Sequence, residues 1–234
     1  MSLVSENVHF SYGKNPVLKG LSFEVPKGAV TFLAGNNGSG KTTWLKLALG
    51  LLRSAEGSIL YDGRTFAATR PGVSVAFDTT PLYPTMSVRD NLSVLFRVEV
   101  NEEIRETLNS MGISDYMIGK ASGKLSYGQK HRVGIAGTLL REAEYYLLDE
   151  PDLGLDPGAL EKVSELVRLR RDQGKAVLIT GQNYPLLEEL SDRITVLSDG
   201  KALYCGTVEY FLSERGCVKG ELKKAFEHRT GEKV

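Results

Sequence analysis

Cysteine is scarce in this chain. Cys205 and Cys217 are the only two in 234 residues, they form no CxxC pair, and no histidine stands near either. A disulfide framework and a cysteine-based metal centre are excluded as organising principles, and two ordinary reduced thiols are expected. A basic excess is also missing, because 29 Lys and Arg balance 29 Asp and Glu. That balance disfavours a protein whose main work is holding a nucleic-acid backbone, a task that needs surplus positive charge. Apolar runs are short and broken by Gly and charge, so none reaches the roughly 20 residues that span a bilayer. Residues 1–10 lack the basic-then-apolar pattern of a secretory leader. These absences lead to the expectation of a soluble, cytoplasmic chain, long enough to bury a substantial core.

What is present alternates between strand-like and helical patterns, the signature of an α/β sheet core. Residues 30–34 form an apolar run that enters a glycine-rich polar loop, then a helical pattern over 42–49 stopped by Gly50. Residues 145–148 and 176–180 read as two further buried strands. Between them Asp156 reads as a helix N-cap with Pro157 at the first helical position. The N-terminal part differs: residues 4–10, 17–25 and 57–62, the last ending in the Asp62-Gly63 turn, suggest an antiparallel layer beside the parallel core. Residues 85–141 read as mostly helical, with Ser87 and Asn101 as N-caps and Ser126 with Gln129 at capping-box spacing. Residues 194–197 and 203–205 flank Asp199-Gly200 as a hairpin, and residues 216–234 read as a charged peripheral helix or frayed tail.

Gly35-Asn36-Asn37-Gly38-Ser39-Gly40-Lys41-Thr42 satisfies G-x-x-x-x-G-K-[ST] at every fixed position, preceded by a strand and followed by a helix. A triphosphate needs several backbone N–H groups converging on it, and glycine lets the chain wrap closely. The helix N-terminus adds partial positive charge. Lys41 can reach the outer phosphates, and the Thr42 hydroxyl can ligate Mg²⁺. Thr43 completes the candidate ATP-binding set. At the end of the 145–148 strand stand Asp149 and Glu150, whose side chains alternate in direction. Asp149 is assigned to Mg²⁺, and Glu150 to the attacking water as general base.

With these motifs in place the chain resembles the ATP-binding subunits of ABC transporters over nearly its whole length. Leu125-Ser126-Tyr127-Gly128-Gln129 is similar to the family's LSGGQ signature, with Tyr127 where Gly is usual. Glu150-Pro151-Asp152-Leu153-Gly154-Leu155-Asp156-Pro157 resembles the catalytic Glu running into the D-loop. The resemblance implies an α/β P-loop NTPase fold of the ABC-ATPase type: a mainly parallel sheet core, an N-terminal antiparallel β layer and a helical insertion. It implies one domain over 1–234, with the helical part at about 85–141 and the tail at about 216–234. It implies that the signature binds the nucleotide of an opposite subunit, that Asp156 contacts that subunit's phosphate loop, and that Tyr12 stacks on adenine. ATP and Mg²⁺ are the implied cofactors. The implied partners are a transmembrane permease and a second ATPase subunit, in a homodimer or heterodimer, with no nucleic acid. The implied location is the cytoplasmic face of the cell membrane.

Two departures stand out. Asp78 occupies the position where the family usually has the Q-loop Gln, and Gly181, followed by Gln182, stands where the H-loop His is usual. His131, after the signature, is expected on an exposed helix face. The missing γ-phosphate histidine leads to the expectation of slow turnover from the isolated chain, raised by Gly181→His. Two other functions remain open at this stage. One is a soluble ABC ATPase acting on nucleic acid, against which the lack of a coiled-coil insertion or second cassette argues. The other is a weakly hydrolysing nucleotide-switch subunit of a heterodimer.

Overall fold

The computed structural model of the chain describes residues 1–77 and 81–231. In chain order its strands are β1 (Ser2–Tyr12), β2 (Asn15–Pro26), β3 (Ala29–Ala34), β4 (Glu56–Tyr61), β5 (Val73–Ala76), β6 (Tyr145–Leu148), β7 (Ala176–Ile179), β8 (Arg193–Ser198) and β9 (Lys201–Thr207). The helices are α1 (Lys41–Ala48), α2 (Phe66–Thr69), α3 (Val88–Phe96), α4 (Glu102–Ser110), α5 (Asp115–Ile118), α6 (Tyr127–Leu140), α7 (Pro157–Asp172), α8 (Tyr184–Leu190), α9 (Val208–Glu214) and α10 (Leu222–Thr230).

Every residue of β6 and β7, and all but the first of β3, is buried. Such continuous apolar runs belong to parallel strands covered on both faces. These strands form the centre of a sheet ordered β5-β6-β7-β3-β8-β9, parallel throughout except for the β8–β9 hairpin. The second sheet, β2-β1-β4, is antiparallel. Both hairpin-type turns carry the positive φ that Asp-Gly pairs tolerate: Asp62 and Gly63 at 49° and 75°, Asp199 and Gly200 at 45° and 73°.

Side-chain alternation divides the apolar residues between two cores. Tyr145, Leu147, Ala176 and Leu178 face the antiparallel sheet and α1, where Trp44 and Phe23 also lie. Tyr146, Leu148, Val177 and Ile179 face the helices on the other side. Each fully buried Leu or Phe in these layers stabilises by roughly 1.5–3 kcal/mol. Tyr61 joins the layers: its hydroxyl donates to the Ala48 carbonyl at 2.9 Å, and its ring meets Tyr145 edge-on at 4.9 Å.

The helices α3 to α6 occupy the stretch expected to be helical, and the expected caps form. Ser87 and Asp90 make a capping box, Asn101 caps α4, and Ser126 with Gln129 makes a second box on α6. Phe96 of α3 lies so close to α6 that a Cβ at Gly137 would come within 2.5 Å of its ring. Of the peripheral helix or frayed tail expected from residue 216 onward, the helix is found, as α10, but it is docked and not peripheral. Leu222, Ala225 and Phe226 of α10 are buried, and the Glu188 carboxylate accepts from the Gly220 and Leu222 amides at 2.5 and 2.8 Å. The charged residues of this stretch hid an apolar stripe of helical spacing.

Glu144 sits where the two sheets meet. Its carboxylate accepts from Lys175 at 2.6 Å and from Lys27 at 2.8 Å, and Lys27 also pairs with Asp62 at 3.1 Å. The Lys175 and Lys27 bonds hold the Glu144 carboxyl below its ordinary range. A carboxylate depressed on folding contributes stability above its unfolded pKa and loses it as pH falls through the folded pKa. Glu144→Gln is therefore expected to cost about 1 kcal/mol near pH 7, allowing for the screening of these part-exposed pairs. Urea unfolding at a series of pH values should show the gap closing in acid, and a gap independent of pH would contradict the assignment.

Candidate functional site

The sheet order explains why distant residues meet. Strands β6 and β3 flank β7, so the loops after all three open side by side at the carboxyl ends of the strands, where α/β sheets place ligands. Residues 35–40 follow β3, Asp149 and Glu150 follow β6, and Thr180-Gly181-Gln182 follow β7.

Loop 35–40 turns sharply into α1. Gly40 has φ 114° and a Cβ there would lie 2.7 Å from the Leu18 side chain, so only glycine fits. Gly40 also supplies no side-chain cap to α1, which leaves the first-turn N–H groups facing outward for an anion. Lys41 is 7% exposed, and its ammonium donates to the carbonyls of Gly35 at 2.5 Å and Asn36 at 3.2 Å. Burial lowers the Lys41 pKa, and the charges of Glu150 and Asp149 oppose that shift.

The Asp149 carboxylate and the Glu150 backbone amide share one anchor. Thr180, fully buried, donates its hydroxyl proton to Asp149 Oδ1 at 2.5 Å and accepts from the Glu150 amide at 3.2 Å. Asp149 is 5% exposed. Glu150 adopts φ 50°, a left-handed conformation rare for a side-chain-bearing residue. Its carbonyl lies 3.1 Å from His131 Nε2. Asp152, further along the same loop, has its carboxyl pKa raised by burial.

A cavity of about 340 Å³ collects these parts, lined by Val17, Asn36, Asn37, Gly38, Gly40, Lys41, Thr42, Thr43, Asp149 and Glu150. A second cavity, of about 380 Å³, opens elsewhere beside Arg97 and Arg141 and touches none of these loops. Among the described residues no three His, Cys, Asp or Glu converge as a metal cage. The donor set at the first cavity, one buried carboxylate and the Thr42 hydroxyl, fits Mg²⁺, which takes few protein ligands and completes its shell with water and phosphate oxygens.

The other expected site residues lie outside that cavity's lining. Tyr12 ends β1 half exposed, its ring edge-on to Phe10 at 4.8 Å. Leu125 is buried, Ser126 caps α6 and Tyr127 is exposed. Gly128 lies across from Gly154 of the D-loop. Asp156 caps α7 by accepting from the Ala159 amide at 3.0 Å, and pairs with Arg132 at 3.3 Å. Gly35 and Ser39 pack together within the loop; a Cβ on Gly35 would lie 2.5 Å from Ser39 Oγ. Gln182 reaches back to the phosphate loop, donating to Asn37 Oδ1 at 3.0 Å. Asp78 lies outside the described residues.

His131 is not on an exposed face as expected; it is 1% exposed. Residues 133–139 of α6 are buried as well, so the helix is enclosed nearly all round and periodicity does not mark an outer face. Sequence reasoning also assigned no role to Thr180 or Asp152. For Thr180 a signal existed: a hydroxyl residue closing an otherwise apolar strand.

A family model described as "ABC transporter" matches residues 18–153. The lantibiotic transport ATP-binding protein SrtF of Streptococcus pyogenes is 33% identical over 202 residues, covering 85% of this chain and 87% of SrtF. The cobalt import ATP-binding protein CbiO of Salmonella typhimurium is 31% identical over 221 residues, covering 87% of this chain and 80% of CbiO. A solved ATP-binding subunit of an ABC transporter superposes with TM-score 0.87 at 24% identity, over 98% of this chain and 99% of that one, a likeness of fold.

Proposed function

The chain belongs to the ABC transporter family of ATP-binding proteins, and from that premise we propose that it hydrolyses MgATP to power transport through a separate membrane-embedded permease. The observation that carries this reading is the convergence of Lys41, Thr42, Asp149 and Glu150 on one cavity. Among the described residues no helix is long and apolar enough to cross a membrane, and the proposal assigns the membrane-spanning part to a separate permease. The chain would sit against it on the cytoplasmic face.

Each residue's part follows from its placement. The first-turn amides of α1 and the Lys41 ammonium bind the β- and γ-phosphates. Asp149 and Thr42 would hold Mg²⁺, which supplies positive charge to the phosphate oxygens. Glu150 orients a water molecule and takes its proton as the water oxygen attacks the γ-phosphorus. The bond from that phosphorus to the bridging oxygen breaks, leaving ADP and phosphate. Thr180 holds both acids in register. Tyr12, at the end of β1, would stack on adenine.

The signature segment 125–129 is set apart from its own chain's cavity, with Tyr127 exposed. This supports a head-to-tail pair in which α6 presents its N-terminus to the nucleotide of a second subunit, and Asp156 meets that subunit's phosphate loop. Between the phosphate loop and the signature no described helix exceeds nine residues. The long coiled coil of the nucleic-acid-acting members is thus missing there, which favours the transport reading.

Gly181 bears on the rate. Its position offers no side-chain donor to the γ-phosphate, and a Cβ there would meet Leu187 Cδ1 at 3.2 Å and Asp152 Oδ1 at 3.3 Å. Both atoms end side chains that need yield only a few tenths of an ångström, so faster turnover in Gly181→His stands as a proposal that steady-state kinetics tests. Gln182, already bonded to Asn37 of the phosphate loop, is the amide that would stand in. This arrangement also suits a heterodimer in which one composite site turns over slowly.

Two outcomes are expected. Glu150→Gln keeps shape but removes the base, and should dimerise with MgATP and not with ADP in light scattering; a monomer under both conditions contradicts self-pairing and points to a second ATPase subunit. Gln182→Ala should lower kcat by on the order of 10²–10³-fold with ATP affinity retained, the cost of one pre-aligned donor. Unchanged steady-state kinetics would remove Gln182 from the reaction.

A further inference from the structure

A buried imidazole costs stability unless its polar atoms are bonded, so the surroundings of His131 call for a reason. Its Nε2 lies 3.1 Å from the Glu150 carbonyl oxygen. A carbonyl only accepts, so Nε2 carries the hydrogen. Among the described residues Nδ1 is buried with no hydrogen-bond partner. The core therefore tolerates an unsatisfied nitrogen in order to keep the other one on Glu150.

Glu150 needs holding. Its φ of 50° belongs to a sparsely populated region that persists only when its surroundings enforce it. Thr180 grips the amide side of the residue at 3.2 Å and His131 the carbonyl side at 3.1 Å. The next residue, Arg132, donates to the Gly154 carbonyl at 3.3 Å and pairs with Asp156 at 3.3 Å. Consecutive side chains of α6 thus clasp the loop from Glu150 to Asp156 at both ends.

We propose that His131 is a positioning residue for hydrolysis: its Nε2–H fixes the strained Glu150 peptide and so aims the Glu150 carboxylate at the attacking water. The inference rests on the reading of Glu150 as general base. It gives α6 two duties, since the helix that presents the signature to a second subunit's nucleotide also holds the base of its own site.

The test compares His131→Leu, which fills the volume without a donor, with His131→Gln, whose amide can donate to the same carbonyl, alongside wild type and Glu150→Gln. His131→Leu should lower kcat roughly 10²-fold, the scale of a displaced reacting group, with ATP affinity unchanged. His131→Gln should recover most of that loss. A filler role would make both variants alike or shift affinity and stability together, and either result overturns the proposal. Imidazole ¹⁵N resonances of the wild-type chain provide a measurement that needs no variant. They should report the Nε2–H tautomer, and an Nδ1–H tautomer also overturns it. A wild-type rate no higher than that of Glu150→Gln overturns the reading of Glu150 itself. The tautomer then still decides whether His131 holds the carbonyl.

Discussion

A single hydroxyl, that of Thr180 at the end of β7, has to serve two consecutive residues at the end of β6 at once. It gives its proton to Asp149 and receives the amide proton of Glu150, so it sets the spacing of the two acids and ties them to β7. Because β7 lies between β6 and β3, these bonds fix the Asp149 carboxylate and the Glu150 backbone relative to the phosphate loop. Buried hydrogen bonds to a charged group are stronger than neutral ones and expensive to leave unmade. The sheet order, the buried strands and the loop geometry all have to be compatible with this one contact.

The rest of the architecture can be understood as holding that corner still. Apolar side chains on both faces of the central strands exclude water from beneath it, which strengthens each electrostatic contact above. Burial lowers the pKa of Lys41 and the charges of Glu150 and Asp149 oppose that shift, while two carbonyls accept from its ammonium. From the helical side, α6 reaches the corner through His131 and Arg132. Its opposite end is tied to α7 by Arg170, a 5% exposed guanidinium that donates to the Leu139 and Leu140 carbonyls. Movement of the helical part would therefore be felt at Glu150.

Local chemistry was legible in the sequence, and contacts between distant residues were not. The phosphate loop, the caps at Ser87, Asn101, Ser126 and Asp156, and both Asp-Gly turns each depend on a few adjacent residues, so pattern and propensity were enough. The buried strands of the core were equally plain from their apolar runs, apart from β5, whose four residues follow a short turn of 3₁₀ helix. Thr180 acts across 31 residues and His131 across 19, separations that no window of sequence contains. The Gln182–Asn37 contact spans 145. The docking of α10 was missed for a related reason: its apolar stripe is narrow, and its value shows only against Tyr184 and Glu188 of α8.

One hydroxyl, through the Asp149 carboxylate and the Glu150 amide, keeps both acids in working register. Thr180→Val preserves the shape of the side chain and removes only that group. Single-turnover hydrolysis together with calorimetric ATP binding measures the consequence directly. The hydrolysis rate should fall on the order of 10²-fold, the scale of a misplaced catalytic group, with nucleotide affinity largely kept. Hydrolysis at the wild-type rate in Thr180→Val would contradict this role for Thr180.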